Sequence, residues 1–276
     1  MFPGQGSQKL GMGEELFEKF ATQTKSASDI LGYDIKTLCL ENEEKLNQTQ
    51  FTQPALYTVN CFSFLNKENT APSVVLGHSL GEYSALFAAE VFDFETGLQL
   101  VKKRGELMSQ ATGGSMAAIV GISIDEIKSI LAENNLDDID IANLNEPLQT
   151  VISGPAKSIE KAKPIFEPKV RLFVPLKVSG AFHSRYMQTA QDEFNSFLKT
   201  FNFKQPKYDV IANVTAQKYT QDTTVELLSK QITSSVRWVE SMQTVLTTYT
   251  QELEEVGPGK VLSGLLRKIK KSVVVS

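Results

Sequence analysis

Apolar residues recur along this chain in two rhythms, and the alternation between them lays out its elements. Leu16, Phe17 and Phe20 share one face of a helix that ends before Gly32. Pro54 is placed to open another, whose apolar positions Leu56, Val59, Phe62 and Leu65 return at helical spacing. The run Val74-Val75-Leu76 then reads as a short buried strand, and the Ala-rich stretch 82–90 as a helix. Phe94, Leu98, Val101 and Met108 mark a further helix that carries Lys102-Lys103-Arg104. Thr112-Gly113-Gly114 follows as a hinge.

Residues 115 to about 180 have a pattern of their own. An apolar run at 116–121 precedes Ser123-x-x-Glu126, a capping box opening a helix to about Glu133. Strands are predicted at 138–143 and 148–153, a helix at 158–166 that Pro164 should shorten or break, and a last strand at 170–178. The order β-α-β-β-α-β is that of a split βαβ, ferredoxin-like unit. Residues 115–180 are therefore expected to form a small inserted domain, with linkers near Gly114 and Gly180, in a core made of 1–114 and 181–276. Beyond the insert, Gly180-Ala181-Phe182-His183-Ser184 opens a helix with Met187, Phe194, Phe197 and Leu198 on its apolar side. A strand at 208–214, helices at 223–232 and 236–249, a strand at 252–256 and a basic helix ending near Lys271 complete the chain. Strands alternating with helices favour a parallel sheet covered on both faces.

The junction after the first strand changes the picture from fold to chemistry. Gly77-His78-Ser79-Leu80-Gly81 is Gly-x-Ser-x-Gly between a strand and a helix, the setting of a nucleophile elbow. Glycines suit that turn because strand and helix approach too closely for larger side chains. Ser79 would sit at the tip, with the Leu80 amide and the new helix's positive end where an oxyanion forms. A Gly/Ser loop without chemistry is the plain alternative.

Composition narrows the choice of base. A chain of 276 residues, 41% apolar and 22% charged, with net charge −4, has no bias toward nucleic acid or an anionic membrane. No apolar run is long enough to span a bilayer, and two cysteines, Cys39 and Cys61, without metal-type spacing suggest the cytoplasm. Only two histidines exist, so a histidine-built metal site is not expected. His78 adjoins Ser79 and should point away from it, which leaves His183 as general base.

Five ordered motifs now carry a resemblance. Phe2-Pro3-Gly4-Gln5-Gly6-Ser7-Gln8, Gly77-His78-Ser79-Leu80-Gly81-Glu82, Lys102-Lys103-Arg104-Gly105-Glu106-Leu107-Met108, Gly180-Ala181-Phe182-His183-Ser184 and Glu255-Val256-Gly257-Pro258-Gly259 together resemble the malonyl-CoA:acyl carrier protein transacylase family. The Gly-Ala-Phe-His-Ser-Arg-Tyr-Met form is most similar to stand-alone acyltransferases of polyketide synthases. The resemblance implies an α/β hydrolase-like core with a parallel sheet plus the ferredoxin-like insert. Members usually begin with a short apolar strand, which this chain is expected to lack, since the Phe-Pro-Gly loop starts at once.

The implied activity is transfer of malonyl from malonyl-CoA to the phosphopantetheine thiol of an acyl carrier protein, through an acyl-Ser79. It would supply extender units for polyketide or fatty acid synthesis. His183 would be base and acid, oriented by a main-chain carbonyl near Gln231; the Gln5 and Leu80 amides would form the oxyanion hole. Arg104 would hold the malonyl carboxylate through a bidentate contact that lysine cannot reproduce. His78, Met108, Met116, Asn143 and Phe182 would line the acyl pocket, Phe182 crowding a branch on the α-carbon. No metal or other cofactor is implied, and the partners are malonyl-CoA and a carrier protein, with no nucleic acid or membrane, for a monomer. An acyl hydrolase of the same fold is the nearest alternative, a docking subunit without chemistry a more distant one.

Overall fold

The computed structural model describes residues 1–67, 71–250 and 252–273. Four N-terminal helices, α1 (Glu14–Lys19), α2 (Ala21–Leu31), α3 (Ile35–Glu41) and α4 (Glu43–Leu46), lead into α5 (Thr49–Leu65) and strand β1 (Val74–Leu76). Helices α6 (Gly81–Ala88) and α7 (Phe94–Ser109) precede β2 (Gly114–Val120), α8 (Ile124–Glu133), β3 (Asp140–Glu146), β4 (Gln149–Pro155), α9 (Ala156–Phe166) and β5 (Leu172–Pro175). The chain ends with α10 (Gln188–Leu198), β6 (Asp209–Ile211), α11 (Thr224–Lys230), α12 (Trp238–Thr248) and α13 (Val261–Val273).

Several expectations need correcting. The segment before Gly32 forms two helices, because Phe20 leaves helical geometry (φ −110°, ψ 44°) and stacks on Phe62 at 5.1 Å between centroids. Pro54 lies inside α5 rather than at its start. The extra turn ahead of it is anchored by the Thr52 hydroxyl, which donates to the carbonyls of Leu46 and Gln48. Pro164 likewise sits within an unbroken α9, and Glu160, whose carbonyl loses its partner, is exposed to water. The strand expected at 252–256 does not form. There the Met1 ammonium donates to the Glu254 carbonyl and the Val256 amide to the Met1 carbonyl, while the Glu255 carboxylate accepts the Leu262 and Ser263 amides at the start of α13.

Parallel pairing joins β1 to β6, in register from Val74↔Asp209 to Leu76↔Ile211, with a single parallel bridge from Phe2 to Gly77. Both faces of this pair are buried. Val75 and Val210 face the main core with α5, α6 and α7, whereas Leu76 and Ile211 face a second cluster with Trp238, Met242, Leu262 and Leu266 of α12 and α13. The other sheet has strand order β3-β4-β2-β5, every neighbour antiparallel. One of its faces is covered by Ile127, Ile130, Ile159 and Phe166 of α8 and α9; Met116 and Val151 on the other join the main core. The mixed α/β fold thus holds a parallel and an antiparallel sheet, and the elbow lies at the C-terminal end of β1.

Close backbone approach fixes that elbow. A Cβ on Gly77 would lie 1.9 Å from the Gly81 carbonyl carbon, and one on Gly81 would lie 2.1 Å from the Phe2 carbonyl oxygen. Neither neighbour can yield without moving backbone. We expect Gly81→Ala to cost at least ~2 kcal/mol, a fall in melting temperature on the order of 5–10 °C by circular dichroism. Gly264→Ala, which meets nothing within 4 Å on α13, should instead raise it by about 1–3 °C through helix propensity. Equal melting of the Gly81→Ala and wild-type proteins would contradict this description of the elbow.

Candidate active site

Ser79 occupies the elbow with φ 50°, a left-handed conformation rare for a residue with a side chain. Its Oγ donates to His183 Nε2 at 2.8 Å. His183, also left-handed at φ 56°, comes from the loop between β5 and α10 and is 5% exposed. Its Nδ1 lies 2.8 Å from the Gln231 carbonyl and 3.2 Å from the Ser234 carbonyl. Both are pure acceptors, so Nδ1 carries the proton and Nε2 presents its lone pair to the serine. A carbonyl rather than a carboxylate orients the imidazole. Burial, then the Arg104 charge, push the His183 pKa down to about 3, against the pull of the Gln231 carbonyl.

Arg104 is fully buried, on the apolar face of α7 with Leu100, Val101, Leu107 and Met108. Nη1 donates to Gln53 Oε1 at 2.7 Å, and Nη2 to Gln231 Oε1 at 3.0 Å and Ser79 Oγ at 3.2 Å. The guanidinium lies over the Tyr83 ring at 5.6 Å, and its Nε has no partner among the described residues. Among the described residues no carboxylate forms an ion pair with it; burial lowers its pKa, Tyr83 and Glu82 opposing that shift. A buried charge without a direct ion-pair partner is costly.

Gly4 brings the N-terminal loop against the elbow, a Cβ there falling 2.2 Å from the His78 carbonyl oxygen. Gln5 is tied through Nε2 to Thr49 Oγ1 at 3.2 Å. Neither the Gln5 nor the Leu80 amide finds an acceptor among the described residues. Two free donors therefore flank the serine loop.

The remaining predicted residues divide. Met108 joins the Arg104 network, its Sδ accepting from Gln53 Nε2 at 3.4 Å. His78 does turn away from Ser79; Nε2 pairs with Asn145 Oδ1 at 2.8 Å and the ring packs 5.4 Å from Trp238. Phe182 is buried beside Gly180, and Met116 lies in the main core on β2. Asn143 sits at a bulge of β3, bridged to Val236.

Four polar residues around the site were given no role from the sequence: Gln53, Glu82, Asn213 and Tyr219. Asn213 Oδ1 accepts the Ser79 amide at 2.7 Å, and its Nδ2 donates to the Gly77 carbonyl at 2.7 Å. The Glu82 carboxylate, wholly buried, accepts the Asn213 amide at 2.6 Å and the Tyr219 hydroxyl. Burial raises its pKa to about 7, opposed by those donors and by Arg104. The signal for Gln53 was a polar side chain in an apolar helix; Asn213 simply follows a strand.

The family model of the acyl transferase domain matches residues 1–271. The chain is 54% identical over 277 residues to the polyketide biosynthesis malonyl CoA-acyl carrier protein transacylase PksC of Bacillus subtilis (strain 168), covering 98% of this chain and 96% of the relative. It is similar in structure to a malonyl CoA-acyl carrier protein transacylase from Burkholderia pseudomallei, with TM-score 0.95, 46% identity and coverage of 98% and 97%. A type II PKS acyl-carrier protein in complex with its malonyl-transacylase also matches, at TM-score 0.92, 35% identity and coverage of 98% and 92%.

The depressed His183 pKa has a direct readout. Its folded value lies below the unfolded one, so its contribution to stability is complete above about pH 6.5 and is lost as pH falls toward 3. With two histidines in the chain, nitrogen NMR resolves each ring. The His183 signal, identified by its absence in His183→Ala, should keep the neutral Nδ1–H pattern from pH 8 down to 5. Titration centred between pH 6 and 7 would contradict the described environment.

Proposed function

The chain belongs to the acyl transferase domain family, and we propose that it transfers malonyl from malonyl-CoA to the phosphopantetheine thiol of an acyl carrier protein. The names of its relatives support this reading, as does the complex of a related malonyl-transacylase with its carrier protein. The product would feed extender units into polyketide or fatty acid synthesis. The single observation that carries the malonyl assignment is Arg104, buried, without a carboxylate counter-ion, and 3.2 Å from Ser79 Oγ. In malonyl thioesters one methylene separates the carboxylate from the carbonyl under attack. A clamp for that carboxylate must therefore adjoin the nucleophile.

In the first half-reaction, His183 Nε2 takes the proton of Ser79 as Oγ attacks the thioester carbon. The tetrahedral oxyanion would be received by the free amides of Gln5 and Leu80, and collapse expels coenzyme A, whose sulfur takes the proton back. The carrier thiol then attacks the malonyl-serine ester, losing its proton to the same Nε2, and Ser79 recovers it on leaving. The imidazolium is supported by the Gln231 carbonyl, so no second carboxylate faces the anionic acyl group. This chemistry calls on no metal or redox group, coenzyme A being substrate. Phe182, Met108, Met116, Asn143 and His78 are read as the walls of the acyl pocket.

We read the antiparallel sheet with α8 and α9 as a ferredoxin-like insert spanning 115–180, which its β3-β4-β2-β5 order supports. The parts 1–114 and 181–276 make up the α/β hydrolase-like core, for which the doubly covered parallel pair and the elbow speak. All proposed groups come from one chain, so a monomer suffices. Buried free thiols at Cys39 and Cys61 suit the cytoplasm. An acyl hydrolase is not favoured, since uncharged acyl groups gain nothing from Arg104.

Arg104→Ala tests the assignment. Loss of a two-point charged contact should slow acylation of Ser79 by malonyl-CoA on the order of 10²-fold or more. Acylation by acetyl-CoA, followed by mass spectrometry, should stay within about tenfold of wild type or increase, since one methyl-sized contact discriminates by only ~1–3 kcal/mol. Unchanged malonyl kinetics would remove Arg104 from the reading.

A further inference from the structure

The parallel ladder between β1 and β6 stops at Leu76↔Ile211, yet hydrogen bonding between the two chain segments does not stop there. Two residues past β6, the Asn213 carboxamide supplies the next acceptor and donor. Oδ1 takes the Ser79 amide and Nδ2 gives to the Gly77 carbonyl, both at 2.7 Å. The side chain thus grips the elbow on either side of its sharp turn. Asn213 is itself fixed from every direction: its amide donates to Glu82, its carbonyl accepts the Arg237 amide at 3.0 Å, and its carboxamide oxygen lies 3.4 Å from Gln231 Nε2. Tyr219 closes the arrangement on the far oxygen of Glu82. All three residues are buried, with Asn213 and Glu82 at 0% exposure.

We propose that Asn213 is a positioning residue for the nucleophile, holding Ser79 in its left-handed conformation so that Oγ meets His183, with Glu82 and Tyr219 holding Asn213. The inference rests on the reading of Ser79 as the acylated serine. A left-handed φ at serine is unfavourable unless its surroundings impose it. The Ser79 amide has no main-chain acceptor among the described residues; Asn213 supplies one. Because Ser79 and Leu80 share a turn, the same grip sets the direction of the free Leu80 amide. Asn213 makes no hydrogen bond to Arg104, so it should govern the rate of attack and not the hold on the acyl carboxylate.

The test is Asn213→Leu, close in size but without hydrogen-bonding groups. The kcat for Ser79 acylation by malonyl-CoA should fall about 10- to 100-fold, the loss of buried hydrogen bonds at a strained turn. Labelling of Ser79 by an uncharged fluorophosphonate, which needs serine and base but not Arg104, should slow by a similar factor. The Kd for malonyl-CoA, measured by calorimetry in a Ser79→Ala background with and without Asn213→Leu, should agree within threefold. A merely structural role would weaken binding along with rate. A kcat within twofold of wild type, or a Kd that rises as far as kcat falls, would overturn the proposal. Should Asn213→Leu not fold, Tyr219→Phe serves: the lost hydroxyl touches neither Ser79 nor Arg104, and its removal takes away a donor that holds Glu82 against Asn213 without changing any charge. There kcat and labelling should both drop about 3- to 10-fold with Kd unchanged, and wild-type rates would overturn the role. Failure of the wild-type protein to acylate Ser79 would remove the underlying reading as well, whereas failure confined to the variants removes the positioning role alone.

Discussion

A guanidinium buried without a carboxylate opposite it is the constraint around which this protein is arranged. Arg104 is held by neutral acceptors, the side-chain carbonyls of Gln53 and Gln231, and by the face of Tyr83. Those contacts orient the charge without neutralising it. A hydrophobic residue of similar volume often serves stability as well or better, and in the proposed reading the malonyl carboxylate completes the pair. The same charge reaches the chemistry twice. It donates to Ser79 Oγ, and it helps keep His183 neutral and therefore able to accept a proton. In the proposed reading, selection of the acyl group and the neutrality of His183 both follow from this one buried cation.

Gln231 is where those consequences meet. Its main-chain carbonyl accepts His183 Nδ1–H, while its side chain accepts from Arg104 and donates to the Ser79 carbonyl. The fold supplies such convergence by bringing distant segments to the end of one short strand pair. The N-terminal loop crosses the elbow at Gly4 and Gly81, the β6 exit contributes Asn213, and the end of α11 contributes Gln231. The two chain crossings into the antiparallel sheet lie so close that a Cβ on Gly114 would fall 2.2 Å from the Ala181 amide nitrogen. That crossing leads within two residues to His183. Close packing of backbone, rather than extended sheet, does the positioning here.

Much of this was legible because the determinants are local. Strand, elbow and helix are consecutive, the capping box at Ser123 and Glu126 forms as written, and the β-α-β-β-α-β rhythm reappears as β2 to β5 with α8 and α9. Arg104 was singled out from two neighbouring lysines by the family resemblance, and in the structure it lies buried on α7 with Leu100, Val101 and Met108. What escaped is tertiary. Asn213 and Glu82 look like an ordinary strand-end amide and an ordinary first-turn acid; only packing across 131 positions of sequence makes them partners. Pro54 and Pro164 were overweighted as helix boundaries, since the Thr52 hydroxyl anchors the turn ahead of Pro54 and the residue whose carbonyl Pro164 frees, Glu160, is exposed to water. The strand expected at 252–256 failed because its backbone and acids are taken up by the chain start and by α13.

Intact-protein mass spectrometry after brief mixing with malonyl-CoA, acetyl-CoA or methylmalonyl-CoA, without carrier protein, tests the central claim most directly. The account predicts an adduct of malonyl mass on Ser79, favoured over the other donors, that persists for minutes and disappears when a holo carrier protein is added. An adduct that prefers acetyl, that hydrolyses at once, or that fails to form from any donor would contradict it.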